Sequence, residues 1–259
     1  MIALTTEQIG ALVGGFFWPF VRISAMMMAA PIFGAKLLPV RIRILLGFAV
    51  SMVAVPMLPP VPFIDPISYQ GLAILLQQVL IGVAMGFMFH MVFQALIIAG
   101  EAIASTMGLG FARMVDPANG VQVPVISQYL IIMATLLFIV LNGHLMLIDL
   151  VVESFRILPV GETGLSAQAF WKIASWGSQM FAGALLVAIP AVSALLVVNI
   201  SMGIITRAAP QLNIFAVGFP MMILLGFIFL MATTSSMLSQ FTHILMDALD
   251  AVKDIVVTR

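Results

Sequence analysis

Long apolar runs separated by short polar segments make up most of this chain. Six runs are long enough to predict helices, at residues 9–33, 44–58, 71–99, 129–150, 180–206 and 212–238. A helix needs about 20 apolar residues to cross the hydrocarbon core of a membrane, and every run except the second reaches that length. The pattern therefore predicts an all-α protein of about six long hydrophobic helices, organised as a single domain over residues 1–259.

Prolines lie inside three of these runs. Pro19, Pro190 and Pro220 fall in the first, fifth and sixth run. A proline inside a helix removes a backbone N–H donor, and its ring clashes with the preceding turn. We therefore expect these three helices to be kinked or discontinuous.

Two pairs of glycines are candidates for close helix packing. Gly10 with Gly14 and Gly82 with Gly86 have the four-residue spacing that lets two helix backbones approach closely in an apolar medium. In a sequence this rich in glycine, chance explains such a spacing about as well as packing does. Both interpretations stay open at the level of the sequence.

Two segments outside the predicted spans have their own character. Residues 151–179 carry several charges together with Trp171 and Trp176, a combination typical of a membrane–water boundary. After the last run, apolar residues recur at helical spacing between Phe241 and Val256 while acidic residues occupy other faces. The C-terminal segment is therefore predicted to be an amphipathic helix.

The composition identifies the class of protein. Hydrophobic residues make up 63% of the chain and charged residues 8%, which is incompatible with an ordinary soluble domain. The sequence therefore predicts an integral membrane protein or part of a membrane complex. Ten basic and ten acidic residues give no net charge, so nothing suggests a nucleic-acid partner. There is no cysteine, which removes disulfides and thiolate chemistry.

A few polar side chains interrupt the apolar runs. Arg22 lies in the middle of the first run, where it requires a partner, a water-filled space or a helix that does not face lipid. His90 and Gln94 share a helical face, and hydrogen bonding between helices explains them better than a proton relay. His144 and Asp149 are five residues apart, with no third residue at metal-site spacing. We expect no metal, no cofactor and no catalytic site, because no nucleotide-binding, nucleophile or zinc motif is present.

Residues 107–124 form the most distinctive interruption, with three glycines, two prolines and the charged pair Arg113 and Asp116. Glycine permits unusual backbone conformations, so this segment is predicted to be a loop supported by the apolar helices. The loop could be a solute site, a re-entrant filter or a connector. Two classes remain open on physical grounds: a solute transporter, and a structural component of a larger pore.

Three groups of residues resemble a known family. They are Phe111-Ala-Arg-Met-Val-Asp-Pro117, Leu141-Asn-Gly-His-Leu145 with Ser154-Phe155 and Leu158-Pro159 downstream, and Pro210-Gln-Leu-Asn-Ile-Phe-Ala-Val-Gly-Phe-Pro220. In this order, over nearly the whole chain, they resemble the FliR family of flagellar export-gate proteins. The Asn142-Gly143-His144 step is more similar to the flagellar proteins than to the related virulence-secretion subunits.

This resemblance implies a subunit of the core export gate of a flagellar type III secretion system in the bacterial inner membrane, at the flagellar basal body. The implied partners are FliP, FliQ and FlhB homologues, membrane lipid and unfolded flagellar export substrates. The resemblance also implies a FliP-like part over about residues 1–206 joined to a FliQ-like part over about residues 180–259. It further implies that the hydrophobic helices pack largely on one another, so that six runs need not be six membrane crossings.

The family places a pore plug in the loop that matches residues 106–123. By resemblance the plug would comprise Gly108, Leu109, Gly110, Phe111, Ala112, Arg113, Val115, Asp116 and Pro117. A structural motif would comprise Asn142, Gly143, His144, Pro210, Gln211, Asn213, Phe215, Gly218 and Pro220. We expect Asn213 to bond backbone groups where the fifth helix turns into the sixth.

Overall fold

The computed structural model describes residues 6–34, 38–59, 64–65, 68–109, 124–161, 164–209 and 214–257, with side chains described from Gly14 in the first helix and from Val217 in the last. Over these residues the chain is all-α, as the sequence predicts. The helices are α1 (Thr6–Ala29), α2 (Val40–Ala54), a 3₁₀ turn (Val55–Met57), α3 (Tyr69–Thr106), α4 (Val125–Val140), α5 (Gly143–Ile157), α6 (Ala167–Ala208) and α7 (Ile214–Val257).

Three differences from the predicted elements concern continuity. The predicted helix over 129–150 is wrong as a single element, because the chain bends by 64° between α4 and α5. The last span and the predicted amphipathic tail are one continuous helix, α7. Helices α1, α6 and α7 continue through Pro19, Pro190 and Pro220, so none of these prolines makes its helix discontinuous. The missing donor of each proline therefore weakens the helix locally without ending it.

The described residues contain four helices that are long and apolar enough to cross a membrane, or five if the bent pair α4 and α5 forms one span. Much of their surface is apolar and uncovered within the chain, including Leu45, Met52 and Val53 on α2. Large exposed apolar areas on a folded chain indicate contact with lipid or with other proteins. The length of the helices and their surfaces thus agree with a protein of a membrane complex.

Two compact units make up the chain. The first consists of Met1–Met91, Phe138–Gly177 and Met246–Arg259. In it, α1 packs against α2 through aromatic rings, with Phe16 and Phe48 centroids 5.0 Å apart, and through Ser24 against Gly47.

Helix α3 packs against α1 in the first unit through the predicted glycine pair. A side-chain atom at Gly82 would collide with the backbone oxygen of Arg22, and one at Gly86 would lie 2.5 Å from that of Met26. The close-packing interpretation of this pair is therefore confirmed. Gly14 makes no comparable approach, since its nearest neighbour is Trp18 of its own helix, and the side chain of residue 10 lies outside the described part.

The second unit consists of Val92–Leu137 and Ser178–Leu245. The rings of Phe93 and Phe241 meet edge to face, with centroids 5.6 Å apart. Ser127 at the start of α4 lies against Gly100 of α3, so closely that any side chain at residue 100 would collide with its backbone. The Ser127 hydroxyl donates to the carbonyl oxygen of Ile97 at 2.9 Å, which satisfies its polar group inside this apolar contact.

Candidate functional site

Helix α3 has a defined end where the glycine- and proline-rich segment begins. Gly108 has φ +83°, its N–H donates to the carbonyl oxygen of Ser105, and the N–H of Leu109 donates to that of Ala104, both at 3.0 Å. This pair of bonds, with a left-handed glycine, is the Schellman arrangement that ends many helices. Gly108 and Leu109 are the only two of the nine predicted plug residues within the described part of the chain.

The other plug residues lie outside the described residues: Gly110, Phe111, Ala112, Arg113, Val115, Asp116 and Pro117. Their assignment to a plug stays a prediction. The structure describes the residues on either side of this segment, Leu109 and Pro124, and the carbonyl oxygen of Pro124 accepts a bond from the N–H of Gln128 at 3.0 Å.

Helices α6 and α7 support the end of α3. The side-chain amide of Asn199 in α6 donates to the carbonyl oxygen of Thr106 at 3.4 Å, one of the carbonyls that a helix end leaves without an intrahelical donor. Met107 packs against Gly226 of α7, where an added side-chain atom would come within 2.5 Å of the Met107 methyl carbon. The ring of Phe219 lies 3.3 Å from the position that a Cβ would take at Gly108. The end of α3, just before the glycine- and proline-rich segment, is therefore packed against α6 and α7.

A second predicted feature, Asn142-Gly143-His144, forms the bend between α4 and α5. Asn142 has φ 57°, a left-handed conformation that asparagine tolerates better than most residues. Its carbonyl accepts the N–H of Leu145 and of Met146 at 2.9 and 3.0 Å, which starts α5. Gly143 lies against the ring of Phe138 with no room for a side chain. The motif thus has a structural reason: it turns the chain tightly against an aromatic ring.

His144 follows in the first turn of α5. Its Nδ1 is enclosed and has no hydrogen-bond partner among the described residues. The described residues also contain no group of three His, Asp or Glu side chains arranged to hold a metal ion. His90 is exposed on α3 and Gln94 is half-buried on the same helix.

The third predicted motif, Pro210 to Pro220, is described only in part. Pro210, Gln211 and Asn213 lie outside the described residues, as does the side chain of Phe215. The expected bond from Asn213 to the backbone therefore stays a prediction. Gly218 is buried and Pro220 is exposed, and both lie in the first two turns of α7.

Arg22 is the most completely buried charged side chain of the described residues, and its environment is polar but uncharged. Its Nε donates to Oε1 of Gln78 at 2.8 Å, Nη1 to Oγ of Ser154 at 3.0 Å and Nη2 to the carbonyl oxygen of Leu158 at 3.0 Å. The ring of Phe155 lies 4.0 Å from the guanidinium carbon, a distance suited to cation–π attraction. The sequence predicted that Arg22 needs a partner or another special environment. The structure shows partners: three neutral hydrogen-bond acceptors.

Leu158 is also the C-cap residue of α5. The guanidinium therefore sits at the carboxyl end of a helix, where exposed carbonyl groups favour a positive charge. Sequence reasoning did not find these partners or Asn199. The only available signals were Ser154 within a family-like motif and Asn199 as an isolated amide in an apolar run.

An all-α chain with four or five helices long and apolar enough to cross a membrane in its described part belongs to the class of helical membrane-type proteins. Comparison with known proteins makes this specific. The profile of the bacterial export proteins, family 1, matches residues 13–248. The chain is 36% identical to the flagellar biosynthetic protein FliR of Escherichia coli (strain K12) over 257 residues, which cover 99% of this chain and 98% of that protein.

Two further relatives carry the same description. The FliR protein of Pectobacterium carotovorum subsp. carotovorum is 39% identical over 83% of this chain and 82% of its own length. That of Bacillus subtilis (strain 168) is 31% identical over 85% of this chain and 86% of its own length. The chain therefore belongs to family 1 of the bacterial export proteins, as a member of the FliR family.

Proposed function

We propose that this protein is a subunit of the core export gate of a flagellar type III secretion system. In this proposal it resides in the bacterial inner membrane at the flagellar basal body. Together with FliP and FliQ it forms the pore through which unfolded flagellar proteins are exported, and an FlhB homologue contacts the assembly. The observation that carries the proposal is the similarity to FliR proteins from three bacteria over more than four fifths of the chain.

The surface of the chain is consistent with a role inside an assembly. Leu196, Val197 and Ile204 on α6 and Leu224 and Met231 on α7 are more than half exposed. Such side chains require lipid or other apolar protein around them. We infer that they pack against partner helices and lipid, with a FliP-like part over about residues 1–206 and a FliQ-like part over about residues 180–259.

The loop after α3 is proposed to be the pore plug, with Phe111 and Leu109 as its obstructing side chains and Arg113 or Asp116 available to latch it. The Schellman end at Gly108 and the support of Met107 by Gly226 favour this assignment, because a plug must be attached to a base that does not move with it. The role is structural and involves neither catalysis nor a cofactor.

Two other functions are weighed against it. A virulence-type secretion subunit would share the fold, but the family similarity above is to flagellar proteins. A solute transporter would direct polar side chains into a central site. Arg22, the strongest candidate for such a group, is fully buried and bonded to Gln78, Ser154 and Leu158, so it is committed to joining helices.

The test is complementation of a flagellated bacterium that lacks its own FliR gene. Affinity-tagged protein expressed from a plasmid is expected to restore swimming and secretion of flagellar proteins, and to purify together with FliP and FliQ. Secretion of flagellar proteins separates this function from virulence secretion. A chain that purifies alone as a stable monomer and binds a small solute would contradict the proposal and support a transporter.

A further inference from the structure

Helices α6 and α7 lie side by side in the second unit, and two contacts define their register. Gly183 of α6 lies against Ile244 of α7, where an added side-chain atom would come within 2.6 Å of Ile244 Cδ1. Asn199 of α6 and Gly226 of α7 meet the consecutive residues Thr106 and Met107. The two helices are therefore antiparallel, with Gly183 level with Ile244 and Asn199 level with Gly226.

The first four turns of α7 and the part of α6 beside them both expose mainly apolar side chains. Exposed side chains of α7 are apolar from Phe219 to Met231, and those at the same level of α6 are mostly apolar. The exposed serine among them, Ser201, donates its hydroxyl to the carbonyl oxygen of Val197 on its own helix at 2.8 Å. This level suits an apolar environment on both helices.

One level further along, the two helices differ. The exposed positions of α7 become polar at Ser235, Ser236, Ser239 and His243, which recur at helical spacing and form one face, here named the polar stripe. Because both helices rise equally per residue, the polar stripe is level with about residues 183–191 of α6.

The serines of the polar stripe also differ from the threonines of the same helix. Thr234 and Thr242 donate their hydroxyls to carbonyl oxygens of their own helix, at 2.7 and 3.0 Å. The three stripe serines make no such bond within the described part of the chain. A hydroxyl that does not bond its own helix needs another partner, which water supplies at a wetted surface and hydrocarbon does not.

At that same level α6 presents Leu185, Leu186 and Ile189, which are 59%, 53% and 51% exposed and are here named the apolar stripe. A single environment at this level, either hydrocarbon or bulk water, does not explain why α7 exposes polar side chains where α6 exposes apolar ones. If the level were in hydrocarbon, the three serine hydroxyls would face lipid, which is costly for polar groups. If it were in bulk water, three large aliphatic side chains would be left uncovered. The surroundings of the two helices must therefore differ at this level.

We propose that the polar stripe of α7 borders a water-filled space in the assembled complex, at a level where the apolar stripe of α6 faces an apolar environment. This inference rests on the proposed assembly into an export gate. It adds to that function an assignment of which of the two helices is wetted at this level.

The chain contains no cysteine, so single cysteines can be placed without removing native ones. Ser236→Cys and Ser239→Cys, which change a single side-chain atom, report on the polar stripe. Leu186→Cys and Ile189→Cys are matched controls at the same level. The complex is purified with its partner subunits into lipid nanodiscs and treated with a charged, membrane-impermeant maleimide. Labelling after denaturation measures the total thiol in each sample.

The two polar-stripe cysteines are expected to label at least roughly ten times faster than the two controls, because the thiolate is the reactive form and an apolar environment raises the thiol pKa. Equal rates at the four positions, or faster labelling at Leu186→Cys, would overturn the proposal. Swimming restored by Ser236→Cys reports separately on the export function, which can therefore hold while the labelling result fails.

A second pair of variants covers the case in which a cysteine variant does not assemble. Ser239→Lys places a charge on the polar stripe and Ile189→Lys places the same charge on the apolar stripe. Full recovery of the complex with Ser239→Lys, and loss of most of it with Ile189→Lys, is expected. Loss of the complex with Ser239→Lys to the same extent as with Ile189→Lys would contradict a water-filled space beside the stripe.

Discussion

Nε of Arg22 in α1 donates a 2.8 Å hydrogen bond to Oε1 of Gln78 in α3, and both side chains are fully buried. The remaining nitrogens of the guanidinium reach Ser154 and Leu158 at the end of α5. One side chain thus joins three helices from distant parts of the sequence. The planar shape of the guanidinium, with its donors in fixed directions, is what permits three simultaneous bonds.

Arg22→Lys is therefore expected to destabilise the protein even though the charge is kept. A lysine ammonium cannot reach all three acceptors, and the loss of hydrogen bonds to a buried charge costs about 2–4 kcal/mol. The thermal unfolding midpoint of the purified complex measures the effect. Arg156→Lys, at an exposed position of α5, is the matched control and is expected to change stability by less than about 0.5 kcal/mol. Equal midpoints for the two variants would refute this role of Arg22.

Gly82→Ala and Gly86→Ala are expected to force α1 and α3 apart. Each added methyl group would overlap the backbone of α1, at Arg22 and at Met26, and overpacking of this kind costs about 1–3 kcal/mol. Gly177→Ala and Gly203→Ala are controls in α6 with no atom within 4 Å of the added methyl group. Recovery of folded complex should fall for the first pair and be unchanged for the second. A similar recovery of all four would mean that α1 and α3 do not need this approach.

Gly143→Ala is expected to disturb the bend between α4 and α5. The added methyl group would meet the ring of Phe138, at a cost of about 1–3 kcal/mol. Phe138→Leu removes the ring, so Gly143→Ala should cost less in that background than in the wild type. A double-mutant cycle measured by thermal unfolding isolates this coupling. Additive effects of the two substitutions would show that the ring is not what excludes a side chain.

Gly108→Ala is expected to weaken the end of α3. The left-handed φ of +83° disfavours any residue with a Cβ, and the strain is about 1 kcal/mol. Gly108→Asn should be milder, because asparagine populates this conformation more readily. Limited proteolysis of the folded complex should cut the alanine variant faster near the loop. Gly161→Ala, with open space around the added methyl group, is the control and should be cut at the wild-type rate.

Deletion of residues 108–114 tests the proposed plug itself. If these residues obstruct the pore, their removal should raise the passive leakage of ions or small solutes through the assembled complex. Leakage of a fluorescent solute from vesicles that contain the complex is the measurement. The same complex carrying Gly177→Ala should leak no more than the wild type. Unchanged conductance after the deletion would contradict the plug assignment.

The pattern of apolar runs correctly predicted helices at the positions of α1, α3 and α6. It was wrong over residues 129–150, because the periodicity of apolar residues does not register a single left-handed residue such as Asn142. It also separated the C-terminal amphipathic segment from the last span. A change from an apolar to an amphipathic pattern reports a change in surroundings, whereas the backbone of α7 continues without interruption.

Composition and local pattern by themselves determined the class of this protein: all-α, very apolar, with a glycine- and proline-rich loop between long helices. The close approach at Gly82 and Gly86 was one of two interpretations of the sequence, and packing against α1 decided it. Only the tertiary structure showed what Arg22 bonds and which polar residues of α7 lie level with apolar residues of α6. The reason is physical: helix formation depends on neighbours within about four residues, whereas these relationships join residues that are distant in the sequence and meet only when helices pack.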